Sequence, residues 1–325
     1  MIRRHVGHTG LQVSRLGLGT MTWGSDVGMP EARSLLTTFH QAGGTMIDTA
    51  AAYGRGAAEQ MLGTLLDSVV PRDEMIIATK AGFGVRDGHR VVDTSRSGML
   101  HDLDQSLERL GTDWIDLWQV HAFGEAPIEE TLAAMDYAVS SGRVRYVGVS
   151  NFVGWQTAYA AAWQRAVPGR TPVASGQAEY SLLARRAEME ILPATRRLGM
   201  GFFPWSPLGR GVLTGKYRAG LPRGSRGASD HFAWFVEPYL EQRYRGVVDA
   251  VTRAADGMDL QPLQVALLWV RDAPGVTAPL LGARTADQLI TCLRTEEMEL
   301  PAEIAAALDD VSGGPVAARG AETGA

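Results

Sequence analysis

Eight short apolar runs alternate with helical patterns along this chain, one roughly every 30 to 40 residues, and that alternation leaves few folds open. The runs that read as strands are 16–19, 45–49, 75–80, 115–121, 144–150, 173–177, 200–206 and 276–282. Helix-like stretches lie at 31–42, 57–68, 95–110, 128–141, 154–166, 187–198, 262–271 and 285–293, with apolar residues at i, i+3, i+4 spacing. Leu100, Leu103, Leu107 and Leu110 form one such stripe, with Asp93-Thr94-Ser95 placed to cap its start and Gly111 to end it. Strands buried on both faces and joined by helices form parallel sheets, and eight units in series point to a (β/α)8 TIM barrel.

That barrel needs about 250 residues, so a chain of 325 carries additions. Residues 1–14 read as an N-terminal hairpin that turns at Thr9-Gly10 and plugs the barrel bottom. Residues 207–237 form a long loop after the seventh strand, and 238–256 add an extra helix. A single domain is expected over 1–312, with a disordered Gly/Ala-rich tail at 313–325. The competing doubly wound sheet would need a dinucleotide fingerprint. The nearest match, Gly54-Arg55-Gly56-Ala57-Ala58-Glu59, ends in glutamate and follows Tyr53.

A formal charge of −5 with no basic block argues against nucleic acid or an anionic membrane as partner. The one cysteine, Cys292, forbids an intramolecular disulfide and a multi-thiolate metal site. His5 and His8, the only histidine pair at ligand spacing, fall in the bottom hairpin and read as exposed, so no metal is expected. Nothing behind Met1-Ile2-Arg3-Arg4-His5 resembles a signal core and no apolar run reaches membrane-spanning length, which suggests a cytoplasmic protein.

Only two of the 31 basic residues are lysines, Lys80 and Lys216. Arginine serves wherever a generic positive charge is needed, so a lysine at the end of a buried strand needs a carboxylate partner or a chemical task. The neighbouring strand ends supply both. Asp48 closes strand two, Tyr53 follows in its loop, Lys80 closes strand three and His121 closes strand four. In a barrel all four share the C-terminal face, where chemistry sits. Asp48 can keep Lys80 charged, and Lys80 can lower the pKa of the Tyr53 phenol. His121 can orient a substrate oxygen, and Tyr53 can then give it a proton.

The chain resembles the aldo-keto reductases over nearly its whole length. The matching segments are Gly17-Leu-Gly-Thr-Met21, Ile47-Asp-Thr-Ala-Ala-Ala-Tyr-Gly54, Ala78-Thr-Lys80, Asp116-Leu-Trp-Gln-Val-His121 and Val147-Gly-Val-Ser-Asn151. Further on come Gln177, Trp205-Ser-Pro-Leu-Gly-Arg-Gly211, Leu213-Thr-Gly-Lys-Tyr217 and Pro279-Leu-Leu-Gly-Ala-Arg284. The resemblance implies that Asp48, Tyr53, Lys80 and His121 are the catalytic tetrad of an NADPH-dependent enzyme that reduces an aldehyde or ketone, ketosugars included. It places Thr20, Met21 and Asp48 beside the cofactor, and sets the nicotinamide carboxamide against Ser150, Asn151 and Gln177. Trp205 would stack on the nicotinamide ring. Ser206, Pro207, Leu208, Gly209, Arg210 and Gly211 would wrap the pyrophosphate, with Arg210 adding charge and Lys216 closing the loop.

By the same resemblance Gly282, Ala283, Arg284 and Gln288 would hold the adenosine end, Arg284 gripping the 2′-phosphate. That favours NADPH over NADH. The chain departs from the family at Thr291-Cys292, where a Glu-Asn pair is usual, and at Ala57-Ala58, where a serine often precedes the glutamate. Trp23, Phe83, Phe123 and Trp234 are expected at the substrate mouth, with Phe232 and Phe235 nearby. Two rival readings remain. One is an NADP(H)-binding regulatory subunit with little turnover. The other is a barrel lyase using Lys80 as a Schiff base, which a carboxylate at Asp48 disfavours by keeping the amine protonated.

Overall fold

The computed structural model describes residues 1–86, 89–229 and 232–313. Twelve strands occur among them: β1 (Arg3–His5), β2 (Gln12–Ser14), β3 (Gly17–Gly19), β4 (Met46–Asp48), β5 (Ile76–Ala81), β6 (Phe83–Arg86), β7 (His89–Val92), β8 (Ile115–Val120), β9 (Val144–Ser150), β10 (Val173–Glu179), β11 (Gly201–Trp205) and β12 (Leu280–Leu281). The helices are α1 (Met29–Gln41), α2 (Ala57–Leu65), α3 (Arg96–Leu110), α4 (Ile128–Ser140), α5 (Gly154–Arg165), α6 (Ile191–Arg197), α7 (Ala233–Val236), α8 (Arg245–Met258), α9 (Pro262–Arg271), α10 (Ala286–Leu293) and α11 (Ala302–Val311).

Eight strands pair in parallel in the order β11-β10-β9-β8-β5-β4-β3-β12. The two ends of that series meet where the Thr277 amide donates to the Phe202 carbonyl at 2.8 Å and the Phe202 amide donates to Thr277 Oγ1 at 3.1 Å. This is the (β/α)8 barrel, and each of the eight apolar runs overlaps one of its strands, with β5 and β10 running one and two residues past the expected ends. Alternation along a strand divides the core. Leu117 of β8 joins Met46, Ala78, Phe203 and Leu280 inside, whereas Trp118 and Val120 pack outward with the helices.

The N-terminal hairpin forms as expected, with Arg3 opposite Ser14 and the Val6 amide bonded to the Leu11 carbonyl. Val6, Leu11 and Val13 join the inner cluster, and the His8 amide donates to Gly199 just before β11. The barrel bottom is therefore filled by side chains, which leaves the opposite face for ligands. His5 uses its ring nitrogens on the Thr9 carbonyl and on Gln12.

Several boundaries differ from the sequence reading. The α2 helix stops at Leu65 because Leu66 is extended and Asp67 is left-handed, at φ 58°. The stretch at 187–198 splits: a 3-10 turn at Arg186–Glu188 precedes α6, and between them Glu190 leaves helical geometry and accepts from the Gly154 amide. The extra helix begins at Arg245 rather than 238, after two short turns. The β6–β7 hairpin and α11 are additional elements. Arg185 pins α11 by pairing with Asp309 and donating to the Asp309 carbonyl and to Ser312. Apart from Gly313, the tail at 313–325 lies outside the described residues.

Candidate active site

Four strand ends converge on one buried ammonium. Lys80, 1% exposed, donates to Asp48 Oδ2 at 2.7 Å, to the Thr49 carbonyl at 2.9 Å and to the Tyr53 hydroxyl at 3.1 Å. Its three donors are thus all used. The other Asp48 oxygen accepts from Gln177 Nε2 at 2.8 Å, so the carboxylate is satisfied on both sides. Tyr53 presents its ring edge-on to His121 with centroids 5.8 Å apart, and Phe83 packs on the other side of that imidazole at 5.1 Å. Asp48, Tyr53, Lys80 and His121 are therefore contiguous.

The chain places Tyr53 through a local irregularity. After β4 it makes a turn in which Gly54 and Arg55 are left-handed, both at φ 57°, and Gly56 reaches φ 93°. A Cβ on Gly56 would lie 2.6 Å from Arg109 Nε, so only glycine lets this guanidinium close on the turn. Arg109 in turn pairs with buried Glu59, and Thr79 donates to Glu59 at 2.6 Å. The glutamate that spoils the dinucleotide fingerprint thus ties the Tyr53 turn to β5. Gly56 is the N-cap of α2 and carries no side-chain cap; Ala58, where a serine is often found, lies inside the helix, so its loss removes no cap.

Charge is tuned around this centre. Burial raises the Tyr53 pKa above its ordinary value and Asp48 adds to the rise; Lys80 opposes both without cancelling them. The sequence reading assigned the outcome to Lys80 alone and so expected the reverse direction. Burial alone would lower the Lys80 pKa, but Asp48 and Tyr53 outweigh it and leave it raised. His121 falls to about 3 through burial and the nearby ammonium, so its imidazole is neutral at neutral pH. Its Nδ1 is buried and has no hydrogen-bond partner among the described residues.

The residues expected at a cofactor fall into three groups. Thr20 is buried and donates to the Asp48 carbonyl; Met21 is half-buried beside it. Near the tetrad, Ser150 Oγ is buried and unpartnered, whereas Asn151, left-handed at φ 58°, bonds the His121 carbonyl and accepts from Trp205 Nε1 at 3.0 Å. Trp205 stacks with Phe235 at 6.3 Å and 21°. Ser206, Gly209, Arg210 and Gly211 all have positive φ, which coils the 206–211 segment tightly, with Pro207 and Leu208 inside it.

Arg210 is held by protein partners. Its guanidinium is bidentate to Glu179, both contacts at 2.8 Å, donates to the Phe235 carbonyl at 2.6 Å and lies 3.9 Å from the Phe235 ring. It clamps the segment bearing Phe235 rather than offering a free charge.

The rim beyond β12 carries the cations. Lys216, Arg226 and Arg284 share one electrostatic neighbourhood: the pKa values of Lys216 and Arg226 are lowered first by desolvation and next by Arg284. Arg284 donates to the Gly224 carbonyl at 2.5 Å and lies 3.8 Å from Asp26, while Gln288 accepts from the Arg284 amide. Gly282 and Ala283 follow β12 directly, and Arg226 lies 3.7 Å from the place a Gly282 Cβ would occupy. Arg226 and Asp26 were not singled out from sequence, since both lie in aperiodic loops. Cys292 is buried in the helix–strand core with its thiol pushed up to about 12, and Thr291 Oγ1 bonds the Asp287 carbonyl.

Of the expected substrate residues, Phe83 touches His121. Phe123 packs on Phe152 and Trp155, and Trp234 stands exposed with Arg90 over its ring at 4.7 Å. Trp23 does not line the mouth: it is fully buried in the main core.

The parallel barrel carries a contiguous lysine–carboxylate–tyrosine–histidine cluster at the C-terminal end of its strands. Residues 15–312 match the model of the aldo/keto reductase family, and the chain belongs to that family of oxidoreductases. It is 35% identical over 326 residues to an uncharacterized oxidoreductase, YrpG, of Bacillus subtilis (strain 168), covering 96% of each chain. It is 32% identical over 295 residues to L-glyceraldehyde 3-phosphate reductase of Escherichia coli (strain K12), covering 88% of this chain and 85% of that one. It is also 32% identical over 301 residues to a probable voltage-gated potassium channel subunit beta of Oryza sativa subsp. japonica, covering 88% of each. Among the described residues no helix is long and apolar enough to cross a membrane.

Proposed function

We propose that the chain is an NADPH-dependent carbonyl reductase acting on small aldehydes or ketones, with Tyr53 as the proton donor. The observation that carries this reading is the Tyr53 hydroxyl held 3.1 Å from a fully buried, doubly paired lysine at the open end of the barrel. The residues present suit a nicotinamide dinucleotide: an unpartnered hydroxyl on Ser150, a half-exposed indole at Trp205, and three clustered cations at Lys216, Arg226 and Arg284. When bound, the reduced cofactor supplies a hydride for the carbonyl carbon.

The tetrad supplies the matching proton. A raised pKa keeps Tyr53 protonated and able to donate at neutral pH. As the proton leaves, the ammonium 3.1 Å away stabilises the phenolate that forms, a preorganised charge needing no rearrangement. Asp48 holds Lys80 cationic and in place. Neutral His121, edge-on to Tyr53, orients the substrate oxygen. In the oxidative direction the phenolate accepts the proton. A Schiff base at Lys80 would require a neutral amine, which the 2.7 Å contact with Asp48 opposes.

The test is loss of nicotinamide absorbance on mixing the purified chain with NADPH and a panel of carbonyls. Short phosphorylated aldehydes belong in that panel because of the Escherichia coli relative. Turnover above background with at least one member is expected. Tight NADPH binding with no turnover across the panel would favour the regulatory reading, which the similarity to the rice channel subunit supports.

A further inference from the structure

The cation cluster on the rim contains a misfit. Asp26, in the loop after β3, is the carboxylate paired with it among the described residues, and it reaches Arg284 only at 3.8 Å. That distance is beyond a hydrogen bond. Asp26 Oδ2 is buried and accepts no hydrogen bond from any described residue. A desolvated carboxylate oxygen without a donor is costly, unless a surrounding positive field compensates. Here the field comes from Lys216, Arg226 and Arg284: Arg284 acts on the other two, and Asp26 acts on Arg226 as well as on Arg284.

Backbone comes close to two of the three cations. Gly211 and Gly282 have no side chains where the heads of Lys216 and Arg226 approach, at 3.3 Å and 3.7 Å from a Cβ built on each. Three cations against one carboxylate leave two positive charges in excess, the charge of one phosphate dianion. Arg284 is anchored on the Gly224 carbonyl through one terminal nitrogen, and the other is the one nearest Asp26.

We propose that Asp26 is the resident counter-ion of this cluster and sets the discrimination between 2′-phosphorylated and unphosphorylated nicotinamide dinucleotides. The inference rests on the nicotinamide reading of the site above. With no phosphate present, Asp26 relieves repulsion among the three cations. A 2′-phosphate entering the cluster shares those cations with a carboxylate already beside them, and part of their attraction is lost. NADH carries no phosphate there and is spared that repulsion. Asp26 thus holds the preference for NADPH below what the three cations alone would give.

The experiment replaces the carboxylate by its uncharged isostere, Asp26→Asn, and measures dissociation constants for NADPH and NADH by tryptophan fluorescence at one fixed ionic strength. The ratio of the two is expected to move about tenfold toward NADPH, as removal of one unit charge a few ångströms from a phosphate on a partly screened rim implies. NADH affinity should change less than twofold. The fragments 2′,5′-ADP and 5′-AMP, used as competitors, should report the same shift without the nicotinamide half. An unchanged ratio, or one moving toward NADH, overturns the proposal. If neither dinucleotide binds the unaltered protein, the nicotinamide reading itself fails, an outcome distinct from an unmoved ratio. Should Asp26→Asn fold poorly, Asp26→Ser removes the same charge and reads the same ratio.

Discussion

The Asp48–Lys80 pair offers a sharp test of what the centre costs the fold. Both side chains are almost wholly buried, at 3% and 1% exposure. Removing one member strands the other. Asp48→Asn leaves an ammonium facing an amide, a carbonyl and a phenol, whereas Lys80→Met leaves a carboxylate whose remaining partner is the Gln177 amide. Stranding a buried charge costs about 3–5 kcal/mol. A chain of 325 residues unfolds with an entropy near 0.7 kcal/mol per kelvin, from about 2.1 cal/mol per kelvin for each residue, so either single change should lower Tm by roughly 4–7 °C.

The double variant leaves no stranded charge, and an apolar pair of similar volume is often no worse than a buried ion pair. Its loss should fall short of the sum of the singles by at least about 2 kcal/mol. The chain's eight tryptophans give the signal for thermal and urea unfolding of all four proteins. Strict additivity would refute the reasoning, because it would mean that the 2.7 Å contact is not a coupled buried pair. Recovery of stability in the double variant, with carbonyl reduction still abolished, would show that the pair is kept for chemistry rather than for the fold.

Three further outcomes follow from particular contacts. His121 is depressed to about pH 3 in the fold against about 6.5 in an unfolded chain, so the unfolded state takes up its proton first. Stability is therefore lost as pH falls from 6.5 toward 3, by up to about 1.4 kcal/mol per unit from this group, and His121→Gln should flatten the urea-unfolding profile in that window; an identical slope counts against it. Arg210→Met should speed amide exchange across 232–239, which Arg210 clamps through Glu179 and the Phe235 carbonyl, and unchanged protection would return Arg210 to a phosphate role. Gly63→Ala should destabilise by about 1–3 kcal/mol despite alanine's better helix propensity, because its Cβ would meet the Arg109 carbonyl oxygen at 2.3 Å. A neutral or stabilising result in urea unfolding would show that α2 and α3 separate freely.

What the sequence discloses and what it hides divide on physical lines. The barrel was legible because buried parallel strands read as apolar runs, and the tetrad because polar residues punctuate the ends of those runs. Asp48, Lys80 and His121 needed only the period-2 rule and the polarity of the sheet to be placed together. The direction of the Tyr53 shift was not legible: it depends on how fully packing desolvates the phenol against how near the ammonium sits, and a sequence carries neither quantity. The pairing of Arg210 with Glu179 was not legible, because the two lie 31 positions apart and are brought together only by the register of β10 and β11. Asp26 and Arg226 sit in loops with no period to betray them. Trp23 looked like a mouth residue by position, yet its indole is wholly buried in the main core, and burial depends on packing that position along the chain does not disclose.

The central claim is that Tyr53 gives the proton while the cofactor site stands independent of it. The direct measurement is single-turnover oxidation of bound NADPH by a responsive aldehyde, followed at the nicotinamide band for the unaltered chain and for Tyr53→Phe. The account predicts that the variant binds NADPH within about twofold of the parent but reduces the aldehyde at least 10²-fold more slowly, the range typical of a lost general acid. A variant that turns over at the parent's rate would contradict it, and tyrosine would have to be set aside as the acid.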